Sequence, residues 1–236
     1  MIKKQLISLR KCAPFFYNEV MFEWEDDLSR KGFTIKCRSQ IEKYFWLLFI
    51  STGISKSRFC LAGYPKDVEK LKMKDNKSIN RIMVMLARDS FRNSNNQLIG
   101  ILSKFSDKYE FNLKLHPSCD YNYYSNLAKT CNMGIISQDK TIGQCLNNTL
   151  YDLSIAVNTT AYYDSLIKGV PCLRYSDGTF DLMCGLDQDY FSSADEFEKS
   201  ISFLLGLTAK EYQKKVDDIL KYAIGLGIDN YSMILL

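Results

Sequence analysis

Three short polar segments of the sequence carry side chains that could bind a phosphate group. They contain Arg88 with Ser90, the histidine His116, and the run Asn158, Thr159 and Thr160. Hydroxyl and backbone N–H groups bind phosphate oxygens, and an imidazole or a guanidinium adds a further donor or a positive charge. Each segment directly follows a short apolar run, so we expect all three at the ends of buried strands.

The threonine corner lies where the apolar residues 153 to 157 meet an amphipathic stretch. A helix that begins near Thr160 would direct its free N–H groups, the positive end of its dipole and two hydroxyls at one spot, which is the pattern of an anion site. The alternative is that Thr159 or Thr160 only caps its own helix and needs no ligand. Spacing alone leaves both interpretations open.

His116 is the only histidine of the chain, and Pro117 ends the strand predicted before it. A histidine just beyond a strand end could donate to a phosphate, and a phosphate dianion nearby would raise the pKa of the imidazole toward the charged form. The alternative is a structural histidine bonded to a backbone carbonyl. The threonine corner at a corresponding strand end favours the functional interpretation.

Alternating strands and helices are predicted over the central part of the chain. The strands are residues 81 to 86, 111 to 115, 134 to 136, 153 to 157 and 170 to 174, and the helices are residues 95 to 105, 121 to 130, 141 to 146 and 161 to 168. This alternation implies right-handed crossovers, so we predict an α/β fold with a Rossmann-like parallel sheet and helices on both faces. Ligands of such sheets bind at the carboxyl ends of the strands.

Flanking segments are predicted from local signals. The lysine-rich residues 70 to 80 have the composition of a surface linker, and residues 185 to 193 (GLDQDYFSS) that of a loop after the last strand. Ser193 with Glu196, and Thr208 with Glu211, have the spacing of helix capping boxes.

Composition limits the class of protein. With 236 residues, 46% apolar and 25% charged, the sequence is typical of a globular protein, and its net charge of +4 is spread too evenly for nucleic-acid binding. Eight scattered cysteines without a C-x-x-C pair favour reduced thiols and a cytoplasmic location. The apolar run 44 to 50 is too short to cross a bilayer, and no export signal follows Lys3 and Lys4.

Metal binding is not predicted. A single histidine among scattered cysteines does not form the ligand pattern of a zinc site. The triplet Asp187, Gln188 and Asp189 matches a D-x-D metal motif, but its position after the last predicted strand favours an ordinary loop. We expect neither a metal nor an organic cofactor.

Four stretches together resemble a known family. They are AGYPKDV (62 to 68), KLHPS (114 to 118), NTTAYYDSLIKGVPCL (158 to 173) and FSSADEFEKSI (191 to 201). Residues 60 to 204 resemble the C-terminal, nucleotide-sugar-binding half of GT-B glycosyltransferases that build bacterial surface polysaccharides, including sialyltransferase-like and teichoic-acid glycerophosphotransferase-like families. In those families an acidic residue stands five positions before a Gly-x-Pro, and here it is Asp164 before Gly169.

The resemblance implies a role for each candidate residue. His116 would contact the donor phosphate and steady the leaving nucleotide, and Thr159 and Thr160 would hold phosphate oxygens. Asp164 would bond hydroxyls of the ribose or the sugar. The remaining implied contacts are Arg88 or Ser90 bordering the phosphate, Asn158 in the threonine corner, and the backbone near Gln138 reading the base.

The sequence departs from this family before residue 76. A complete GT-B enzyme has a full Rossmann-like domain there, whereas we predict a reduced N-terminal region (1 to 75), the nucleotide-sugar-binding domain (76 to 207), and C-terminal helices (208 to 236) that pack back on the N-terminal region. The acidic cluster of residues 23 to 27 is either a degenerate catalytic motif or a solvated helix face, so no catalytic base is assigned. The apolar C-terminal end could instead contact another copy of the chain or a membrane surface.

The predicted function is transfer of a sugar from a nucleotide-sugar donor to a capsular polysaccharide or lipopolysaccharide (glycolipid) acceptor, in the cytoplasm or at the inner membrane face. The alternatives are a donor-binding subunit that depends on a protein partner, and a sugar-nucleotide epimerase. The epimerase needs acid and base groups from both halves, which a single histidine serves poorly.

Overall fold

The computed structural model describes residues 70–73, 78–146, 149–157, 159–178 and 185–224. The chain divides into two compact units, Val68–Leu220 and a second unit made of Met1–Asp67 with Lys221–Leu236. The predictions for residues 1 to 69, the acidic cluster among them, lie outside the described residues. So do Asn158 and the last twelve residues, 225 to 236.

The described part of the first unit contains a six-stranded sheet. Its strands are β1 (Arg81–Met85), β2 (Glu110–Lys114), β3 (Gly134–Ile135), β4 (Leu153–Val157), β5 (Cys172–Tyr175) and β6 (Tyr190–Phe191). All pairs are parallel, and the order across the sheet is β3-β2-β1-β4-β5-β6. The chain therefore runs outward from β1 to β3 and then restarts on the other side of β1, which makes β1 and β4 the switch point of a Rossmann-like α/β fold.

Helices connect the strands and cover both faces. They are α1 (Arg92–Leu102), α2 (Tyr121–Thr130), α3 (Ile142–Cys145), α4 (Ala161–Ile167), α5 (Ala194–Leu205) and α6 (Ala209–Ile224). Alternate strand residues such as Val84, Leu113 and Ile155 form one apolar core with Leu98 of α1 and Phe197 of α5. The helix α4 packs on the opposite face. The predicted fold class is therefore confirmed.

Burial explains why the central strand was predictable. All five residues of β4, LSIAV, are buried, because neighbouring strands and both helical layers cover them. The polar member Ser154 is satisfied within the protein, since its hydroxyl contacts Ser165 Oγ at 2.6 Å and the carbonyl oxygen of Pro171 at 3.2 Å. A buried strand between two helical layers reads as a continuous apolar run in the sequence.

Gly169 ends α4 and turns the chain toward β5. Its φ of 72° lies in the left-handed region, its N–H donates to Leu166 O, and the N–H of Val170 donates to Ser165 O. This pair of bonds is a Schellman motif, which favours glycine because a side chain strains that backbone. The motif also delays the fifth strand, which begins at Cys172 and not at residue 170 as predicted.

The sixth strand was missed. Tyr190 and Phe191 pair with Arg174 and Tyr175, whereas the sequence indicated only a loop there. A two-residue strand has no periodicity of its own, so nothing in its composition predicts it.

Both predicted N-caps are confirmed, although only Thr208 with Glu211 forms the full capping box, and the linker prediction is wrong where it can be compared. The Ser193 hydroxyl accepts from Glu196 N at 3.3 Å, and Thr208 and Glu211 form a reciprocal capping box. Within residues 70 to 80, however, Met73 and Ile79 are each only 7% exposed. These two apolar side chains are buried, whereas the lysines around them had indicated a fully solvated segment.

Candidate active site at the sheet switch point

The predicted corners meet the same edge of the sheet. Met85 of β1 is in register with Lys114 of β2 and with Ala156 of β4. His116 and Thr159 follow those partners by two and three residues, so their loops leave the sheet at its carboxyl edge on either side of β1. Two strand spacings separate β2 from β4, about 10 Å. The groups of one nucleoside diphosphate can bridge that distance.

The ring of His116 is held by its own turn. Nδ1 of His116 accepts a hydrogen bond from Ser118 N at 3.1 Å and lies 2.9 Å from Ser118 Oγ. Because a backbone N–H can only donate, Nδ1 is the acceptor, and the neutral ring carries its proton on Nε2. His116 is half-buried, and its Nε2–H is the ring donor that remains for a ligand.

Ser118 also joins the loop after β2 to the loop after β1. Its Oγ accepts from Asp89 N at 3.2 Å while it faces His116 Nδ1. The carboxylate of Asp89 is bound by the guanidinium of Arg92, with Nε–Oδ1 at 3.1 Å and Nη2–Oδ2 at 2.6 Å. This bidentate pair neutralises the negative charge that would otherwise repel a phosphate from this loop.

The Arg88 guanidinium acts electrostatically on His116. Partial burial of the ring and the Arg88 guanidinium both lower the pKa of His116 from its usual value near 6.5. Without a ligand, His116 is therefore neutral near pH 7, and Arg88 supplies the positive charge. A phosphate dianion would oppose both effects and raise the pKa again.

A buried asparagine fixes the backbone that leads into Arg88. Asn95 of α1 is 0% exposed, accepts from Ala87 N at 3.0 Å, and donates to Ala87 O at 3.1 Å and to Tyr124 Oη at 3.0 Å. Cys119 Sγ also donates to Ala87 O, at 3.3 Å. The amide of Asn95 thus makes the two backbone hydrogen bonds that a neighbouring strand would otherwise make with Ala87. It thereby sets the direction in which Arg88 leaves the sheet.

The threonine corner shows little capping. Thr160 is the N-cap residue of α4, is exposed, and makes no side-chain cap bond, while Thr159 Oγ1 accepts from Ala161 N at a long 3.4 Å. Asp164 is half-buried and lies four residues after Thr160, which places it one helical turn further along the same face. The hydroxyl of Thr160 is thus available at the sheet edge.

The other predicted contacts are placed less centrally. Ser90 is exposed in the short 3-10 turn Asp89–Phe91 beside Arg88. Gln138 is exposed after β3, which is separated from β4 by β2 and β1, so three strand spacings, about 14 Å, lie between those two ends. Gln138 is therefore next to the His116 loop and not to the threonine corner.

The loop after β5 is tied to the same helix that carries Asn95. The hydroxyl of Ser94 donates to the carboxylate of Asp177, and Tyr175 Oη donates to Gln97 Oε1 at 3.2 Å. No local sequence pattern singled out Asn95, Ser94 or Asp177. The contact with Ser118 could have been expected, because a polar side chain in a turn often bonds to the backbone two residues further on, as His116 Nδ1 does with Ser118 N.

The D-x-D triplet has a structural role at its second aspartate. Asp189 is 0% exposed, its Oδ1 accepts from Arg174 Nε at 2.7 Å, and its carboxylate also accepts from the hydroxyl of Tyr162. Burial raises the pKa of Asp189, which Arg174 and Tyr162 oppose. Within the described ranges, no three His, Cys, Asp or Glu side chains are grouped as a metal site.

Comparisons with known proteins give matches among solved structures only. No protein-family model and no curated protein matches the chain. The chain is similar to the wall teichoic acid polymerase TagF, with TM-score 0.46 and 12% identity over 80% of this chain and 52% of that one. A second TagF structure, H444N with CDPG, has TM-score 0.44 and 16% identity over 65% and 38%.

The KpsC protein of Thermosulfurimonas dismutans, a beta Kdo 2,4 transferase, has TM-score 0.30 and 14% identity over 60% of this chain and 46% of that one. The chain thus spans between about two fifths and half of the length of these proteins. Among the described residues, no helix is both long and apolar enough to cross a bilayer.

Proposed function

We propose that this chain is a glycosyltransferase that binds a nucleotide-sugar at the carboxyl edge of β2, β1 and β4 and transfers the sugar to a polysaccharide or glycolipid acceptor of the cell surface. The observation that carries the proposal is the position of His116, with its proton on Nε2, at the switch point of a Rossmann-like sheet, close enough to Arg88 for the guanidinium to affect its pKa. The family resemblance of the KLHPS and NTTAYYDSLIKGVPCL stretches supports the same assignment.

The proposed reaction is a substitution at the anomeric carbon. An acceptor hydroxyl oxygen bonds to that carbon, the bond from the carbon to the donor phosphate breaks, and the nucleotide leaves with the bonding electrons. Nε2–H of His116 donates to the phosphate oxygen that gains negative charge, and Arg88 stabilises that charge. The acceptor proton passes to a base that lies outside the residues assigned here.

The threonine corner holds the other side of the same phosphates. Thr160 binds a phosphate oxygen through its hydroxyl, and Thr159 binds the phosphates where the chain enters α4. Asp164 forms hydrogen bonds with hydroxyls of the ribose or the sugar. Asp89 does not repel the donor, because Arg92 already neutralises its carboxylate. The diphosphate is negatively charged both in the bound donor and in the leaving nucleotide. The hydrogen bond from His116 and the positive charge of Arg88 stabilise it in both states.

Binding is the first experiment. The purified chain is titrated with CMP, CDP, UDP and GDP and with the corresponding nucleotide sugars by calorimetry. His116→Gln keeps a polar side chain but loses the ring donor, and we expect it to weaken nucleoside diphosphate binding by about tenfold, which corresponds to one charge-assisted hydrogen bond. Lys129→Met changes an exposed residue of α2 and should bind as the wild type.

Turnover then separates the transferase from its rivals. Sugar transfer in the presence of an oligosaccharide acceptor supports the proposal. Conversion of the donor without any acceptor would identify an epimerase, and tight binding without turnover would identify a donor-binding subunit. Equal affinity of wild type and His116→Gln for every nucleotide would exclude the proposed site.

A further inference from the structure

Lys114 is a lysine in an unusual place. It is the last residue of β2, which lies between β3 and β1 in the sheet, and is only 5% exposed. Its strand neighbours Leu113 and Leu115 point into the apolar core of the α1 face, so strand alternation puts Lys114 on the α4 face, where Met85 is its register partner. Lysines are almost never buried to this degree without a specific partner.

The partner is a backbone carbonyl in the next loop. Lys114 Nζ donates to Ser137 O at 2.8 Å, and no carboxylate forms an ion pair with it among the described residues. An ammonium buried for stability alone would be expected to pair with a carboxylate, because the desolvation cost is otherwise poorly offset. The hydrogen bond instead spans from β2 to the loop that follows β3.

That loop is also fixed from within. The Ser137 hydroxyl donates to the carboxylate of Asp139, and this bond is the main reason why the pKa of Asp139 is lowered, with smaller contributions from Lys140 and Lys114. Gln138 lies between the two bonded residues and is exposed. Residues 137 to 139 therefore form a short turn that is anchored on the sheet side by an ammonium and closed by its own serine and aspartate.

We propose that Lys114 is a positioning residue that holds the 137–139 turn in the conformation that selects the nucleobase of the donor. The inference rests on the proposed function, in which the diphosphate lies at His116, and on the family resemblance, which implies that the backbone near Gln138, after β3, reads the base. The backbone N–H and C=O groups of the turn form hydrogen bonds with the edge of one base. A different base leaves those groups unpaired, and such mismatches discriminate strongly.

The position of the bond explains why Lys114 acts on the base and not on the phosphates. The Lys114 side chain contacts Ser137 from the α4 face, whereas His116 is held independently by Ser118. Loss of the ammonium frees the 137–139 turn and leaves the His116 turn intact. Affinity for the diphosphate group should survive, and only the preference among bases should fall.

The experiment compares the preference among nucleobases with the affinity for the diphosphate group that all the ligands share. Dissociation constants for inorganic pyrophosphate, CDP, UDP, ADP and GDP are measured by calorimetry for the wild type, Lys114→Met and the exposed control Lys129→Met. Methionine fills the same space without a donor. We expect the ratio between the best and the next base to fall by about tenfold in Lys114→Met, the value of one hydrogen bond to a charged group, with pyrophosphate unchanged.

Ser137→Ala gives a second, milder test. It removes the hydroxyl that closes the turn on Asp139 but keeps the carbonyl that Lys114 binds, and its exposed position should tolerate the change. We expect a smaller loss of base preference in the same direction. If Lys114→Met does not fold, as judged by circular dichroism, an unchanged preference in Ser137→Ala overturns the inference.

The possible outcomes separate the two proposals. If the wild type binds neither pyrophosphate nor any nucleotide, the proposed function fails, and the inference fails with it. If the wild type prefers one base and Lys114→Met keeps that preference, only the inference is overturned. An equal weakening of all nucleotides and of pyrophosphate would also overturn it, because that result indicates a purely structural lysine.

Discussion

Ser118 donates to His116 Nδ1 from its backbone N–H at 3.1 Å, and its hydroxyl lies 2.9 Å from the same atom. Two residues of one turn thus determine which ring nitrogen of the only histidine is free to donate. The Ser118 hydroxyl is in turn bound by Asp89 N, so the orientation of the ring depends on the neighbouring loop. A ligand that contacts Nε2 meets a donor whose tautomer is already set.

Replacement of Arg88 by glutamine should raise the pKa of His116 toward its usual value near 6.5. The guanidinium is the second cause of the lowered pKa after burial, and its removal leaves only the burial effect. Because the chain has one histidine, NMR titration of the imidazole C–H signals follows this residue without ambiguity. Arg81→Gln, at the opposite end of β1, is the control, and an unchanged pKa in Arg88→Gln would show that the two side chains do not interact.

The lowered pKa of His116 should make the free energy of unfolding depend on pH. The unfolded ring binds a proton near pH 6.5, and the folded ring binds it only at lower pH. Between those two values the unfolded state holds more protons, so stability is full above about pH 6.5 and decreases as the pH falls toward the folded pKa. Urea denaturation at several pH values should show a shallower decrease for His116→Gln; parallel curves would contradict the lowered pKa.

Thr160→Ala should leave stability nearly unchanged while weakening nucleotide binding. A true N-cap threonine costs about 1 kcal/mol when it is replaced by alanine, but the Thr160 hydroxyl makes no cap bond, so we expect a loss below about 0.5 kcal/mol. Nucleoside diphosphate affinity should fall by about tenfold if the hydroxyl binds phosphate.

Thr208→Ala is the matched control for Thr160→Ala. Its hydroxyl accepts from Glu211 N at 3.2 Å and does cap α6. Urea denaturation should give a loss of about 1 kcal/mol for this variant, and calorimetry should give unchanged nucleotide affinity. A loss of that size in Thr160→Ala, with normal binding, would establish the capping interpretation instead.

Asn95→Ala should strongly destabilise the protein. The change leaves the N–H of Ala87 and the hydroxyl of Tyr124 without their buried partner, and each unpaired group costs about 1–3 kcal/mol. We expect a loss of about 3 kcal/mol in the free energy of unfolding, measured by urea denaturation. Asn93→Ala, two residues away and exposed, should lose less than about 0.5 kcal/mol, and similar losses in both variants would argue against the specific role of Asn95.

The fold was predictable where short apolar runs follow one another at regular spacing. The residues of β4 are all buried and were predicted with their observed bounds, as was the helix Tyr121–Thr130, which begins after a side-chain cap at Asp120. In contrast, β6 depends on β5 and on Asp189, whose partner Arg174 lies 15 residues earlier and on the neighbouring strand. A contact of that kind leaves no local pattern.

The candidate site was predictable only in part, for the same reason. His116 and the threonine corner follow strands, so their edge of the sheet could be inferred. The hydrogen bond from Asp89 to Ser118 requires that β1 and β2 be neighbours in a particular register, and Asn95 binds Ala87 only because α1 packs back beside the end of β1. Their roles follow from three-dimensional positions that no single segment specifies.

Asp189→Asn should destabilise the protein irrespective of divalent metal. Arg174 is 7% exposed and would keep its charge without the carboxylate that balances it, and breaking such a buried pair costs about 3–5 kcal/mol. Urea denaturation should give the same loss of unfolding free energy in Mg²⁺ and in EDTA, each at roughly millimolar concentration. Asp189 is bound by Arg174 and Tyr162 inside the protein and not by a metal. The exposed Asp107→Asn is the control, and a loss that Mg²⁺ removes would mean that the triplet binds metal.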